Sequence, residues 1–148
     1  MASAQDKTAT LTLHDKAVLA LQVPAGATLV SSNGYVKVHT GNMTLHVWAV
    51  PKARTAQAAV GRAAEIIKSE FVNFTVTETK SLSIAGEPAR HVLGSGNEAD
   101  DGDPGHAEVV FFVVGRHVFA GCVHGEFDDA ARERAPMMAV LQTASAPK

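Results

Sequence analysis

One stretch of the chain is apolar at nearly every position. From Val109 to Val114 it reads Val-Val-Phe-Phe-Val-Val, then Gly115-Arg116, then His-Val-Phe-Ala-Gly-Cys-Val to Val123. Successive strand residues point to opposite sides, and Gly115-Arg116 suits a two-residue hairpin loop. In that register one face carries Val109, Phe111, Val113, Val118, Ala120 and Cys122. The other carries Val110, Phe112, Val114, Phe119 and Val123. A hairpin apolar on both faces belongs in the middle of a sheet, with elements packed above and below it.

Elsewhere apolar and polar positions alternate. Thr8–Leu13 predicts a first, edge strand, and Ala17–Val23 a second that stops at Pro24-Ala25-Gly26. Tyr35–Thr40 and Met43–Val50 flank Gly41-Asn42 and predict a hairpin. There Thr40 faces Met43 and Val38 faces Leu45. Val36, Val38, Met43, Leu45 and Val47 then form the core face, and Tyr35, Lys37, His39, Thr44, His46 and Trp48 the opposite one. Past Pro51 the period changes. Thr55 suits an N-cap, and Ala56, Ala59, Val60, Ala63, Ile66 and Ile67 recur at helical spacing, predicting one helix to about Ser69. Val72–Ile84 and Ala89–Ser95 return to strand, joined by the turn Ala85-Gly86-Glu87-Pro88, and Gly96–Gly105 reads as a polar loop. Pro136 suits the first turn of a helix, so a turn over Phe127–Arg134 and a closing helix over Pro136–Thr143 are expected. The fold class is α+β: a mostly antiparallel sheet of about seven strands flanked by two helices.

Composition narrows the partners. The 148 residues suit one domain over 8–144, with a flexible terminus at 1–7 and a tail at 145–148. A formal charge of −2, with no run of three Lys or Arg, gives no basis for binding nucleic acid or an anionic membrane. No apolar run reaches the length of a membrane span. The single cysteine, Cys122, excludes an intramolecular disulfide and falls in the two-faced strand, as a small buried hydrophobe would. Ala2-Ser3-Ala4 before Gln5 has the small-x-small form that precedes a signal-peptidase cut. The expectation is an exported, periplasmic protein; a cytoplasmic protein with a small-residue terminus is the alternative.

The order of elements resembles the PsbP-like superfamily, an α/β/α sandwich. The matching segments are Leu21-Gln22-Val23-Pro24-Ala25-Gly26 after an early strand, Ile84-Ala85-Gly86-Glu87-Pro88-Ala89-Arg90 before a long one, and the terminal Pro136…Leu141-Gln142-Thr143. That superfamily includes the photosystem II extrinsic protein, DcrB-like bacterial lipoproteins and type VI effector-associated chaperones. The resemblance implies an adaptor, accessory subunit or chaperone rather than an enzyme, and it transfers no functional residue.

Three groupings could carry chemistry. His39 and His46 lie diagonally on the non-core face of the first hairpin, within reach of a shared divalent ion, although Lys37 opposite His46 disfavours a cation. The plainer reading is two polar strand residues, so no metal is assigned. Cys122 and His124 alternate onto one face, as a nucleophile and base would, but the apolar neighbours of Cys122 argue for a buried thiol beside a strand-end histidine. Asn97-Glu98-Ala99-Asp100-Asp101-Gly102-Asp103 is dense in carboxylates but lacks the EF-hand spacing, as a solvated hairpin loop would. There is no Gly-x-Ser-x-Gly, P-loop or Rossmann fingerprint. The expectation is therefore a non-enzymatic protein-binding module, with no catalytic residues and no cofactor. Its candidate partner-binding face is Tyr35, His39, His46 and Trp48, which includes the only Tyr and the only Trp. The partner is an unidentified protein, and a homo-oligomer is compatible with the sequence. The alternative is a small-ligand or metal-binding protein.

Overall fold

A computed structural model describes residues 7–40, 43–125 and 137–147. The elements run β1 (Lys7–Leu13), β2 (Lys16–Val23), β3 (Thr28–Ser32), β4 (Tyr35–Thr40), β5 (Met43–Val50), α1 (Ala56–Val60), α2 (Ala63–Ile67), β6 (Phe71–Ile84), β7 (Glu87–Glu98), β8 (Pro104–Val114) and β9 (His117–Gly125). Seven strands form one antiparallel sheet in the order β3-β4-β5-β9-β8-β7-β6, and β1 pairs with β2 alone.

The β8–β9 hairpin sits centrally, as its two apolar faces require. Phe111 pairs with Ala120 and Phe112 with Phe119. One face places Val110, Phe112, Val114, Phe119 and Val123 against β1, β2 and the helical segment 137–141. The other places Val109, Phe111, Ala120 and Cys122 against Ala56, Ala59, Ala63 and Ile67 of α1 and α2. Both layers exclude water from the same hairpin, and that burial is the main favourable term in the fold. The first hairpin also has its expected register, with Thr40 opposite Met43 and Val38 opposite Leu45.

Four expectations change. The helix expected from Thr55 to Ser69 is two short helices. The Thr55 hydroxyl accepts from the Ala58 N–H at 3.0 Å as expected, but α1 ends at Gly61, and Arg62 leaves helical geometry at φ −110°, ψ 11°. Glycine is a poor helix interior, and the break lets Ala59 and Ile67 both reach the sheet. The strand β3 was not expected, because Thr28–Ser32 is short and mostly polar; it adds an edge to the sheet. The early strands do not flank the main sheet but lie across its face as a separate hairpin.

The polar loop shrinks from Gly96–Gly105 to the five residues 99–103, because β7 runs to Glu98 and β8 begins at Pro104. Gly94 and Gly96 are not loop residues: they leave room for the Phe74 and Phe71 rings to lie over β7. At the C-terminus residues 137–141 are helical, and Ser145 bridges to Ala20. The turn expected at Phe127–Arg134 and the N-terminal residues 1–6 lie outside the described residues.

Candidate functional site

The helices α1 and α2 cover only part of their face of the sheet. They pack on β6 to β9 and reach Val50 and Trp48 of β5, and among the described residues no helix packs over the same face of β3 and β4. Strand pairing lines up Thr28 with His39, Val30 with Lys37 and Ser32 with Tyr35 on that open side. Val30, at 49 % exposure, is one of two exposed large hydrophobic side chains among the described residues. Such a face is what a short, helix-free edge of a sandwich leaves behind.

At the border between the open and covered halves, five ring-bearing residues converge. Tyr35 stands opposite Trp48 across the β4–β5 pair, and their ring centroids are 5.6 Å apart. The His46 ring stacks on Trp48 at 5.6 Å and on His124 at 5.2 Å, and the Phe71 ring closes the far side of His124 at 6.0 Å. Pairing of β5 with β9 puts His46 opposite Cys122, which makes His124 its diagonal neighbour on the same face. Tyr35 and Trp48 are half-buried, and together with Ser32, Ser69 and Glu70 they line a shallow cleft.

Several polar atoms of this cluster lie close together. The Tyr35 hydroxyl lies 2.7 Å from His46 Nδ1, and the other ring nitrogen, Nε2, lies 3.4 Å from Glu70 Oε1. His124 Nδ1 lies 2.5 Å from Glu98 Oε2, while its Nε2 is buried with no hydrogen-bond partner among the described residues. Glu70 is held by its backbone, donating to Ile67 O at 2.9 Å and accepting from the Ala99 N–H at 3.1 Å. The Glu98 backbone is likewise bonded to Asp103 and Gly102 across the turn. Both carboxylates therefore rest on fixed backbone at the same end of the β6–β7 pair, where Phe71 stands opposite Glu98.

Burial sets the charge states. His46 is 4 % exposed, and burial, followed by the neighbouring His124 and Lys37, brings its pKa down to about 4, so the ring is neutral near pH 7. Burial, then Glu70 and Cys122, pushes the Tyr35 phenol up to about 12. Burial also raises the Glu98 carboxyl, against the opposing pull of His124. Cys122 is fully buried, and that burial holds its thiol well above the ordinary range. It cannot serve as a nucleophile, so the Cys122–His124 pair is separated by environment although it shares a face.

Of the residues singled out from sequence, Tyr35, His46 and Trp48 come together and His39 does not. His39 is exposed and bonds Thr44 at 2.8 Å on its own hairpin. The His39–His46 grouping weighed from sequence, to which no metal was assigned, does not form; instead one potential ligand atom from each of His46, Glu70 and His124 lies within 4.8 Å of the other two. Sequence reasoning missed Glu70, in the turn before β6, and did not connect His124 to His46. Glu98 was placed in a solvated loop and is buried against His124.

No protein-family model and no curated protein sequence matches the chain. Solved structures do. Cyanobacterial PsbP from Synechocystis is similar at a TM-score of 0.60 and 12 % identity, over 97 % of this chain and 94 % of that one. PA94 of Pseudomonas aeruginosa, a protein of unknown function and candidate regulator, matches at 0.55 and 14 % over 97 % and 98 %. LpqN of Mycobacterium tuberculosis, involved in cell envelope biogenesis, matches at 0.53 and 14 % over 97 % and 91 %. A Bacteroides thetaiotaomicron protein matches at 0.56, and there the chain spans 45 % of the other's length. At these identities the likeness establishes the fold.

Proposed function

We propose that this chain, which has the PsbP-like fold, is a non-enzymatic module that binds a protein partner on the open face of β3 and β4 and its margin on β5. The observation that carries the reading is the placement of Tyr35 and Trp48. They are the only Tyr and Trp of the chain, their rings meet at a tilt, and they stay half-exposed at the margin of the helix-covered part of the sheet face. Large aromatic residues held rigid at an open surface are the typical anchors of a protein interface. Val30 extends the apolar surface towards the edge strand β3, whose free side can pair with an extended segment of a partner. His39, on the same face, forms its polar rim.

Export suits this reading. One neighbour takes part in cell envelope biogenesis, and no described helix is long and apolar enough to cross a membrane.

The test is affinity capture from the native host with the unmodified chain and with Trp48→Ala and Val30→Asp. A protein retained by the unmodified chain and lost with both variants supports the reading. Equal retention by all three removes this face as the interface, and recovery of only the chain itself makes it a homo-oligomer contact.

A further inference from the structure

We propose that His46, Glu70 and His124 form a binding site for one divalent transition-metal ion, with Tyr35 and Glu98 as the groups that orient the two imidazoles. The three side chains come from β5, the α2–β6 turn and β9, and they offer two nitrogens and one carboxylate oxygen. That donor set suits zinc and its first-row neighbours rather than calcium or magnesium, which take oxygen ligands. Two ligands about 2.1 Å from a tetrahedral ion are about 3.4 Å apart. His46 Nε2 and Glu70 Oε1 already stand at 3.4 Å. The widest separation in the set, within 4.8 Å, closes by about an ångström through small side-chain rotations.

Two further observations point to a ligand. The first is the buried Nε2 of His124, which has no hydrogen-bond partner among the described residues. An unpartnered buried polar atom is costly, and an ion between His124, His46 and Glu70 supplies the missing partner. The second is what stands behind each imidazole. Metal-bound histidines commonly donate their remaining N–H to a carboxylate or another oxygen, which fixes the ring and its tautomer. His124 has the Glu98 carboxylate at 2.5 Å and His46 has the Tyr35 hydroxyl at 2.7 Å. A phenol both donates and accepts: it donates to Nδ1 while Nε2–H faces Glu70, and accepts from Nδ1–H once an ion occupies Nε2.

Three protein ligands leave a fourth position for water or for a donor brought by another molecule. Glu70 is 33 % exposed and lines the cleft shared with Tyr35 and Trp48, so the fourth position opens towards that cleft. An ion there would tie the α2–β6 turn to the β5–β9 pair.

The experiment is titration of the chelator-treated chain with Zn(II) by calorimetry, and with Co(II) by visible absorption. The expected result is one ion per chain with a Kd of about 10 μM or tighter, a Co(II) spectrum of low coordination number, and a raised melting temperature with Zn(II). Glu70→Gln, at a partly exposed position, is expected to fold normally and weaken Zn(II) at least tenfold, as are His46→Ala and His124→Ala where they fold. His39→Ala is expected to bind as the unmodified chain does. Binding no tighter than millimolar, or binding that survives Glu70→Gln but is lost in His39→Ala, overturns the site. Partner capture repeated in chelator is independent of this outcome, so either reading can fail alone.

Discussion

The Tyr35 hydroxyl and His46 Nδ1 lie 2.7 Å apart across the β4–β5 hairpin, and this contact joins the exposed aromatic surface to the buried histidine cluster. Tyr35 faces outward enough to meet a partner, yet its polar end is committed inward. Removing that hydroxyl leaves a buried ring nitrogen without its partner. Tyr35→Phe is expected to cost about 1 kcal/mol in chemical denaturation. A cost indistinguishable from zero would mean that the phenol does not hold His46.

The central hairpin carries the largest packing terms. Phe111 and Phe112 are fully buried on opposite faces. Each change to Ala is expected to cost about 3–5 kcal/mol. The two losses should be nearly additive, because the side chains belong to different layers. Denaturation midpoints of the two single variants and the double variant measure both points.

Gly94 is paired in the middle of β7 with an aromatic ring lying over it. A methyl group there would overlap the Phe74 ring and the Thr75 carbonyl oxygen. Gly94→Ala is therefore expected to destabilise by about 1–3 kcal/mol, although alanine is ordinarily the better strand and helix residue. Gly26→Ala, with open space around the added carbon, is the control and should change stability little.

Acid should weaken the metal-free fold through His46. Its pKa is brought from 6.5 unfolded to about 4 in the fold, so the unfolded chain takes up the proton first. The stabilisation is fully present above about pH 6.5 and is lost as pH falls from there to about 4. The shift corresponds to about 3 kcal/mol at most. Urea midpoints measured in chelator across that range should fall for the unmodified chain. His46→Gln should flatten that part of the profile, and an unchanged profile would place the acid sensitivity elsewhere.

Cys122 has no exposed surface and a thiol held in its protonated form. A thiol reagent should react with the native chain only as fast as the chain opens, and at the rate of free cysteine in denaturant. Native labelling at the free-cysteine rate would contradict the burial.

Local pattern was enough to determine most of the strands and the two-sided hairpin, but not β3 or the full length of β7. Alternation over Val109–Val123 dictates which residues share a face, and any covering layer must then meet Phe111 on one side and Phe112 on the other. It was also enough to put Tyr35, His46 and Trp48 on one surface, because that needs only the β4–β5 register. Tertiary structure decided the rest. Whether β9 or another strand would lie beside β5 is a pairing between segments about seventy residues apart, and only that pairing puts His124 next to His46. Glu70 enters through the α2–β6 turn, whose position depends on the helix break at Gly61–Arg62 and on the docking of Ile67. Glu98 became buried because Phe71 and Phe74 extend over the glycines of β7 and lengthen that strand into the expected loop. Periodicity reports which way a side chain points along its own element, but a site made from three elements depends on packing between them, and that information is not local.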